Sequence, residues 1–249
     1  MPFFKFIELT RKKIAEIAGE SLFVLPVAAT EQHGPHLPVG VDTFTVTAIA
    51  ESACRLAGDS RSVVLAPTLP FGNSHYHFDH GPAMSLSIST FQRVLYDLLD
   101  SACRCGFKRL FILNGHGGND ECIRIAVREV VMSHDVAAAA ASYWTIAEER
   151  LTKEGLVPQS GNLPGHAGEF ETSIMLCLHP ELVDGRPEVR VEAPTRYSLS
   201  PWKLFVQRSH LQVGVDGYTD DARHATADYG EKILRVIQEE VASILRRDF

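Results

Sequence analysis

Short apolar segments separated by longer amphipathic ones are the feature that most limits how this chain can fold. The apolar segments are residues 21–30, 62–67, 109–114 and 136–143. Their hydrophobicity is continuous rather than alternating, which is typical of strands covered on both faces in a parallel sheet. Helical patterns fill the intervals, at residues 43–57, 88–105 and 119–133. This alternation predicts β–α–β units and an α/β fold with a parallel sheet.

The remaining segments extend the same plan to both ends of the chain. We expect a short helix over residues 9–18 with Thr10 as its cap, a helix over 169–178, and a long amphipathic helix over 222–247. Residues 152–168 are rich in Gly and Pro and form a loop able to cover a site, and residues 180–220 are expected to be extended or a short hairpin. No repeat or linker divides the chain, so we predict one domain over residues 1–249.

Composition excludes several classes of function. The sequence has 24 Lys and Arg against 31 Asp and Glu, a net charge of −7, which gives no basic surface for nucleic acid. Apolar runs are too short for a membrane span, and the N-terminal segment is too charged for a secretory signal. Five Cys without a C-x-x-C pair indicate reduced thiols. We therefore expect a cytoplasmic protein with no nucleic-acid or membrane partner.

The first polar cluster comes directly after the 21–30 segment. It contains Glu31, His33 and Asp42 on a loop bent by Gly and Pro, at the edge of a parallel sheet where ligands bind. Carboxylate and imidazole groups are ligands of Zn²⁺, Mn²⁺ and Fe²⁺. Asp42 alone could be explained as a cap of the following helix, but Glu31 and His33 could not. The cluster predicts a metal site.

A glycine-rich loop, NGHGGN at residues 114–119, follows the 109–114 segment. It could cradle a phosphate at a helix N-terminus or form a structural turn, but it matches neither the Rossmann nor the P-loop spacing. We favour His116 as a metal ligand, with the backbone at Gly117 close to the substrate.

The third cluster is GHAGEFETS at residues 165–173. Glu169 and Glu171 are two residues apart and cannot share a helix face, so at most one of them points into a site. The other is expected to face solvent or to stabilise the helix N-terminus. His166 lies in the flexible approach to the helix, which suits a proton donor.

Residues 71–81 form a fourth polar loop after a strand. We predict that Ser74 and His77 contact the substrate; a second metal site built from this loop is the alternative, with His75, His77, Asp79 and His80. Trp144 could pack over the substrate or belong to the core. No G-x-S-x-G elbow is present to support a serine hydrolase.

The combination of TEQHGPHLPVGVD, NGHGGN and GHAGEFETS, over residues 30–173, resembles the creatininase (creatinine amidohydrolase) family. The resemblance implies a Rossmann-like three-layer α/β/α sandwich with a mostly parallel central sheet and two divalent ions, Zn²⁺ or Mn²⁺ with Fe²⁺ possible. It implies Glu31 and His116 at one ion, His33 and Glu171 at the other, and Asp42 between them. His166 would protonate the departing nitrogen, and a hydroxide bridging the ions would attack a cyclic or linear amide, of lactam or formamide type.

The sequence also departs from creatininase. That enzyme has a carboxylate two residues after the histidine of NGH and a Trp four residues before the catalytic histidine, where this chain has Gly118 and Asn162. Its closing segment usually reads Gly-Asp-Pro, and this chain has GYTD at 217–220. Creatinine is therefore not the expected substrate. The alternatives are a peptidase of cofactor maturation, a dinuclear metal phosphoesterase and a non-enzymatic regulator. The resemblance further implies a homo-oligomer, with a hexamer expected.

Overall fold

A computed structural model describes residues 2–185 and 216–247. Its centre is a five-stranded parallel sheet with the order β1-β3-β2-β4-β5. The strands are β1 (Phe3–Lys5), β2 (Leu22–Val27), β3 (Val63–Leu65), β4 (Arg109–Asn114) and β5 (Ala137–Ser142). The prediction of an α/β fold with a parallel sheet is confirmed.

Helices connect the strands and cover both faces of the sheet. They are α1 (Arg11–Ile17), α2 (Val41–Ala57), α3 (Ile88–Arg104), α4 (Asp120–Ser133), α5 (Tyr143–Lys153), α6 (Glu169–Leu178) and α7 (Ala227–Arg246). Thr10 caps α1 as predicted, because its hydroxyl accepts a hydrogen bond from the Lys13 amide. Among the described helices, none combines the length and apolar content that a membrane span requires.

Alternate side chains of β2 enter two separate hydrophobic cores. Leu22 and Val24 pack with α2, α5, α6 and α7 on one face, whereas Phe23 and Leu25 pack with α1, α3 and α4 on the other. Both faces of the strand are therefore dry, which is the physical reason for its continuous apolar sequence. The apolar stripe of α7 is buried in the first core and is not available to another subunit.

Several predicted boundaries were wrong. The sequence gives no signal for β1, and the apolar segment predicted over 136–143 ends as a strand at Ser142, because α5 begins at Tyr143. The last helix begins at Ala227 rather than at 222, because the Thr226 hydroxyl accepts from the Tyr229 amide; residues 222–224 form a separate 3-10 turn. The expected hairpin within 180–220 lies largely outside the described residues, and Pro180–Leu182 is a 3-10 turn.

Three strands end side by side, which decides where the polar loops meet. The last residues of β2, β4 and β5 are paired in register: Val27 with Asn114, and Asn114 with Ser142. The loops that follow β2 and β4 therefore leave the sheet at the same edge, which is the ligand-binding edge of parallel α/β sheets.

Candidate metal centre

Asp42 lies at the centre of the polar cluster, in the first turn of α2. Its Oδ1 is 3.3 Å from His33 Nε2, and its Oδ2 is 3.2 Å from His116 Nδ1. The two carboxylate oxygens thus face two different imidazoles, which come from the loops after β2 and β4. One side chain is shared between two groups of potential ligands.

Two groups of possible metal ligands share this carboxylate. The first is Glu31, Asp42 and His116, and the second is His33, Asp42 and Glu171. In the first group Glu31 Oε1 is 3.2 Å from His116 Nδ1; in the second, His33 Nε2 is 3.6 Å from Glu171 Oε2. Within each group the ligand atoms lie within 4.8 Å of one another, a spacing that one cation can span.

The polar atoms of these groups lack hydrogen-bond partners. Both carboxylate oxygens of Glu31, the Nε2 of His33 and the Oδ2 of Asp42 are buried and make no hydrogen bond among the described residues. Burying such atoms without partners is costly, and coordination to a cation removes that cost. The donor set therefore fits divalent metal ions.

The electrostatics of the cluster lead to the same conclusion. Burial by itself lowers the pKa of His33, but the carboxylates of Glu171 and Asp42 raise it to about 10. Burial raises the pKa of Glu171 to about 8, against the opposing effect of His33. Burial also opposes the charged form of Glu31, yet His116 and His77 hold the pKa of Glu31 well below its usual range. Protons here balance an excess of carboxylate charge that cations would otherwise balance.

The NGHGGND sequence orients His116. The Asn114 side chain accepts from the His116 amide at 3.1 Å and donates to the His116 carbonyl at 2.7 Å. Asn119 donates to the Ala28 carbonyl and accepts from the Asn73 amide, so it joins the loop to its two neighbours. The Nε2 of His116 donates to the Asn73 carbonyl at 3.0 Å, which leaves Nδ1 for a metal ion.

Two glycines of this loop are required by packing against the protein itself. A Cβ at Gly115 would lie 2.7 Å from the Cβ of Val46, and one at Gly118 would lie 2.6 Å from His116 Nε2. Gly117, which was predicted to approach the substrate, is the member of the three whose Cβ would meet open space. Close approach to a phosphate is therefore not needed to explain Gly115 and Gly118.

His166 lies beside the two ligand groups. Its Nε2 donates to the Gln32 carbonyl at 2.9 Å, its Nδ1 is 3.8 Å from Glu31 Oε1, and its ring centroid is 4.2 Å from that of His33. With Glu31 and His33, it forms a third set of atoms close enough to share a cation. Burial, reinforced by the charges of His33 and His77, lowers the pKa of His166 well below its usual range.

The two glutamates of α6 have different environments. Glu171 Oε2 accepts from the Ala167 amide at 2.6 Å and is directed toward His33. Glu169 is buried, and its Oε2 accepts from the Gln159 amide at 2.8 Å. Of the two alternatives for the second glutamate, exposure to solvent is wrong, and its position in the first turn of α6 agrees with the other, stabilisation of the helix N-terminus. Glu169 also anchors the preceding loop, which begins where the chain leaves α5.

The predicted substrate contacts are dispersed. Ser74 is buried with its Oγ 3.5 Å from His116 Nε2, while Trp144 packs against the hydrophobic core with its ring 5.0 Å from that of Tyr143. His77 is buried with its Nε2 3.0 Å from Glu31 Oε1, so it contacts a proposed metal ligand. His75 bonds to Ser85 at 2.6 Å. The alternative metal site of this loop is not among the ligand groups that the described residues form.

The contact between Thr219 and His166, here called the clasp, holds the His166 loop and was not predicted from the sequence. Thr219 binds His166 in both directions: its Oγ1 accepts from the His166 amide at 2.7 Å, and its amide donates to the His166 carbonyl at 2.9 Å. Asp220 is buried, accepts from Ser160 Oγ at 3.0 Å, and lies against Gly165. A Thr-Asp pair so far along the chain carries no local signal of this contact.

Buried imidazole and carboxylate groups at the carboxyl edge of a parallel α/β sheet are an arrangement that metal-dependent hydrolases use. The family model described as creatininase, creatinine amidohydrolase, matches residues 7–245. This chain belongs to the creatininase family.

Relatives in the family act on different molecules. The chain is 30% identical over 93% of its length to creatinine amidohydrolase of Pseudomonas putida, covering 91% of that protein. It is 30% identical over 90% of its length to the mycofactocin precursor peptide peptidase of Mycobacterium ulcerans, covering 84% of it. It is 32% identical over 72% of its length to 3-dehydro-scyllo-inosose hydrolase of Thermotoga maritima, covering 57% of it. Membership therefore establishes a hydrolase and leaves its substrate open.

Solved structures of creatininase share the fold. A manganese form superposes with a TM-score of 0.74 at 28% identity, covering 97% of each chain. A mutant described as a Zn–Zn type superposes with a TM-score of 0.71 at 27% identity, covering 97% of this chain and 96% of that one. The predicted Rossmann-like sandwich of the creatininase type is confirmed.

Proposed function

We propose that this protein hydrolyses a C–N bond of a small-molecule amide, of lactam or formamide type, with two divalent ions held on either side of Asp42. The observation that carries the proposal is the shared carboxylate, whose two oxygens face His33 and His116 at 3.3 and 3.2 Å. Glu31 would complete the first set of ligands and Glu171 the second. Zn²⁺ and Mn²⁺ suit this mixture of imidazole and carboxylate.

Ions bound there would polarise a carbonyl and lower the pKa of water toward neutrality. The protein supplies the proton transfer. His166 is neutral at pH 7 because burial lowers its pKa, so its Nδ1 can take a proton from the attacking water and return it to the departing nitrogen. The clasp from Thr219 holds the His166 backbone in place during both transfers.

The site favours a substrate other than creatinine. A carboxylate at position 118, as in creatininase, would collide with His116, and the Tyr76 hydroxyl is 3.4 Å from the Nε2 of that imidazole. Asn162 stands where creatininase has a Trp, and its amide donates to Ser160 Oγ. The polar neighbours of the ions thus differ from those of creatininase.

Chelation followed by a substrate panel tests the proposal. We expect hydrolysis to disappear on chelation and to return with Zn²⁺ or Mn²⁺. The panel should contain lactams, formamides, short peptides and p-nitrophenyl phosphate. Turnover of a lactam or formamide supports the proposal. Turnover of peptides alone would favour a peptidase, as in the mycobacterial relatives, and turnover of the phosphate ester alone would make the site a phosphoesterase.

The proposal includes cytoplasmic location and assembly into a homo-oligomer, with a hexamer as the expected state. The apolar stripe of α7 is buried within the chain, so subunit contacts would have to use other surfaces. The exposed apolar side chains of α4, Ile125, Val131 and Met132, are available for this role. Light scattering that shows only a monomer would exclude the assembly without affecting the chemistry.

A further inference from the structure

The side-chain amide of Gln32 determines which nitrogen of His77 carries a hydrogen. Gln32 Oε1 accepts from the Gly34 amide at 2.9 Å, which fixes the orientation of the amide group. Its Nε2 then lies 2.8 Å from His77 Nδ1. Because an amide nitrogen only donates, His77 Nδ1 must accept and the hydrogen must be on Nε2. That Nε2 is 3.0 Å from Glu31 Oε1, so the N–H group of His77 lies on the side of the ring nearest this carboxylate.

The main-chain carbonyl of the same residue has the corresponding effect on His166. His166 Nε2 is 2.9 Å from the Gln32 carbonyl and 3.2 Å from the Gln32 side-chain nitrogen. The carbonyl is the nearer partner and only accepts, so this nitrogen is assigned the hydrogen. In the neutral ring Nδ1 is then bare, and it faces Glu31 Oε1 at 3.8 Å. Two imidazoles therefore approach Glu31 in opposite roles: His77 presents an N–H group, and His166 presents a lone pair.

Packing holds the Gln32 side chain and the rings of His77 and His166 in these orientations. A Cβ at Gly217 would lie 2.8 Å from Gln32 Cδ, and one at Gly81 would lie 2.9 Å from Gln32 Cβ, so the backbone at both glycines packs closely against this side chain. The rings form a tilted stack, with centroid distances of 4.2 Å from His33 to His166, 4.4 Å from His166 to His77 and 4.3 Å from His77 to Tyr76, and interplanar angles of 37°, 39° and 40°. A ring flip would replace the bonded nitrogen by a carbon and break the hydrogen bonds to Gln32.

We propose that Gln32 and His77 are positioning residues: Gln32 directs the His77 N–H toward the metal ligand Glu31 and leaves the Nδ1 of His166 without a hydrogen. The inference rests on the proposed function. It replaces the prediction that His77 contacts the substrate. Partners of this kind hold a metal ligand in the orientation that binds the ion, and their loss typically costs 10–100-fold in metal affinity.

Long-range ¹⁵N–¹H correlation spectra of the zinc-loaded protein, labelled at histidine, test the hydrogen positions directly. We expect both His77 and His166 to carry hydrogen on Nε2 and to have a bare Nδ1. In Gln32→Met, the preference of His77 should weaken, because only Glu31 then favours a hydrogen on Nε2, whereas His166 should keep its own because its partner is a main-chain carbonyl. A hydrogen on His77 Nδ1 in the unmodified protein would overturn the inference.

Zinc affinity, measured by competition with a chromophoric chelator, tests the positioning role. His77→Phe keeps the ring in the stack and removes the donor, so we expect zinc binding to weaken by about 10–100-fold. His77→Gln restores an N–H group near Glu31 and should recover most of the affinity. His134→Phe is the matched control, since it breaks a histidine–carboxylate pair of 2.7 Å with Asp100, far from the site.

A substrate-binding role for His77 predicts a different result in the zinc-affinity measurement from a positioning role. If His77 binds substrate, His77→Phe should raise KM at least tenfold with zinc affinity unchanged, and this outcome would overturn the positioning role. If the protein hydrolyses none of the proposed amides, the spectra and the zinc affinities still decide the inference, because neither depends on turnover. Failure of the proposed function and failure of this inference are therefore distinguishable.

Discussion

Replacing Asp42 by Asn tests the idea that one carboxylate serves two ions. The change keeps the size of the side chain and removes the charge that faces His33 and His116 at 3.3 and 3.2 Å. An outer partner of a metal site contributes 10–100-fold in affinity, so a direct ligand should contribute at least about 100-fold for each ion. We therefore expect both ions to be lost together, although His33 and His116 themselves are unchanged.

The loss of metal affinity in Asp42→Asn can be read from thermal stability. A ligand at 1,000 times its Kd stabilises the folded state by about 4.1 kcal/mol, and one at ten times its Kd by about 1.4 kcal/mol. A hundredfold loss at fixed metal concentration thus removes about 2.7 kcal/mol for each ion. For a chain of 249 residues this corresponds to roughly 5–11 °C in Tm per ion.

Differential scanning fluorimetry with and without Zn²⁺ measures this loss, and metal analysis after gel filtration gives the stoichiometry. Asp97→Asn is the matched control, because Asp97 is exposed and pairs with Arg93 on the surface of α3. The control should keep the whole metal-dependent shift. Our reasoning is refuted if Asp42→Asn keeps the same shift in Tm as the control, or if it loses one ion and binds the other normally.

Three further predictions concern protons. Metal binding near pH 7 should release about three protons, because the pKa of His33 is raised to about 10, that of Glu171 to about 8, and that of His116 well above its usual range. Metal affinity should therefore rise with pH. Calorimetry in buffers of different ionisation enthalpy counts the released protons, and a count below one contradicts this prediction. His166→Ala should keep its metal and lose roughly 10²–10⁴-fold in kcat, and loss of metal would make His166 a ligand. Burial raises the pKa of Asp220 to about 6, so this carboxyl binds a proton more tightly in the folded protein than in the unfolded one. The free energy of unfolding should therefore fall by about 3 kcal/mol as the pH rises from about 4 through 6. Urea titrations should show this fall in the unmodified protein and its absence in Asp220→Asn.

The sequence predicts the inner part of the fold well and its margins poorly. β2 and β4 are buried on both faces, so their apolar runs are unbroken and recognisable. β1 is a half-buried edge strand of three residues, too short for any periodicity. α5 begins directly after β5 with no loop between them, and Tyr143, its first residue, was predicted as the end of the apolar strand segment.

The residue types of the site were predictable, but the connections between them were not. Glu31, His33 and His116 each follow a strand, where a metal ligand is expected. The role of His77 depends on Gln32, which is 45 residues away, and that of His166 depends on Thr219, which is 53 residues away. Hydrogen bonds over such separations leave no periodic signal. They become visible only when the loops are folded against one another.

Anomalous scattering from crystals grown with the native metals measures the central claim most directly. We predict two ions, one between Glu31, Asp42 and His116 and the other between His33, Asp42 and Glu171, with one Asp42 oxygen on each. A single ion, or two ions that Asp42 does not contact, would contradict the account.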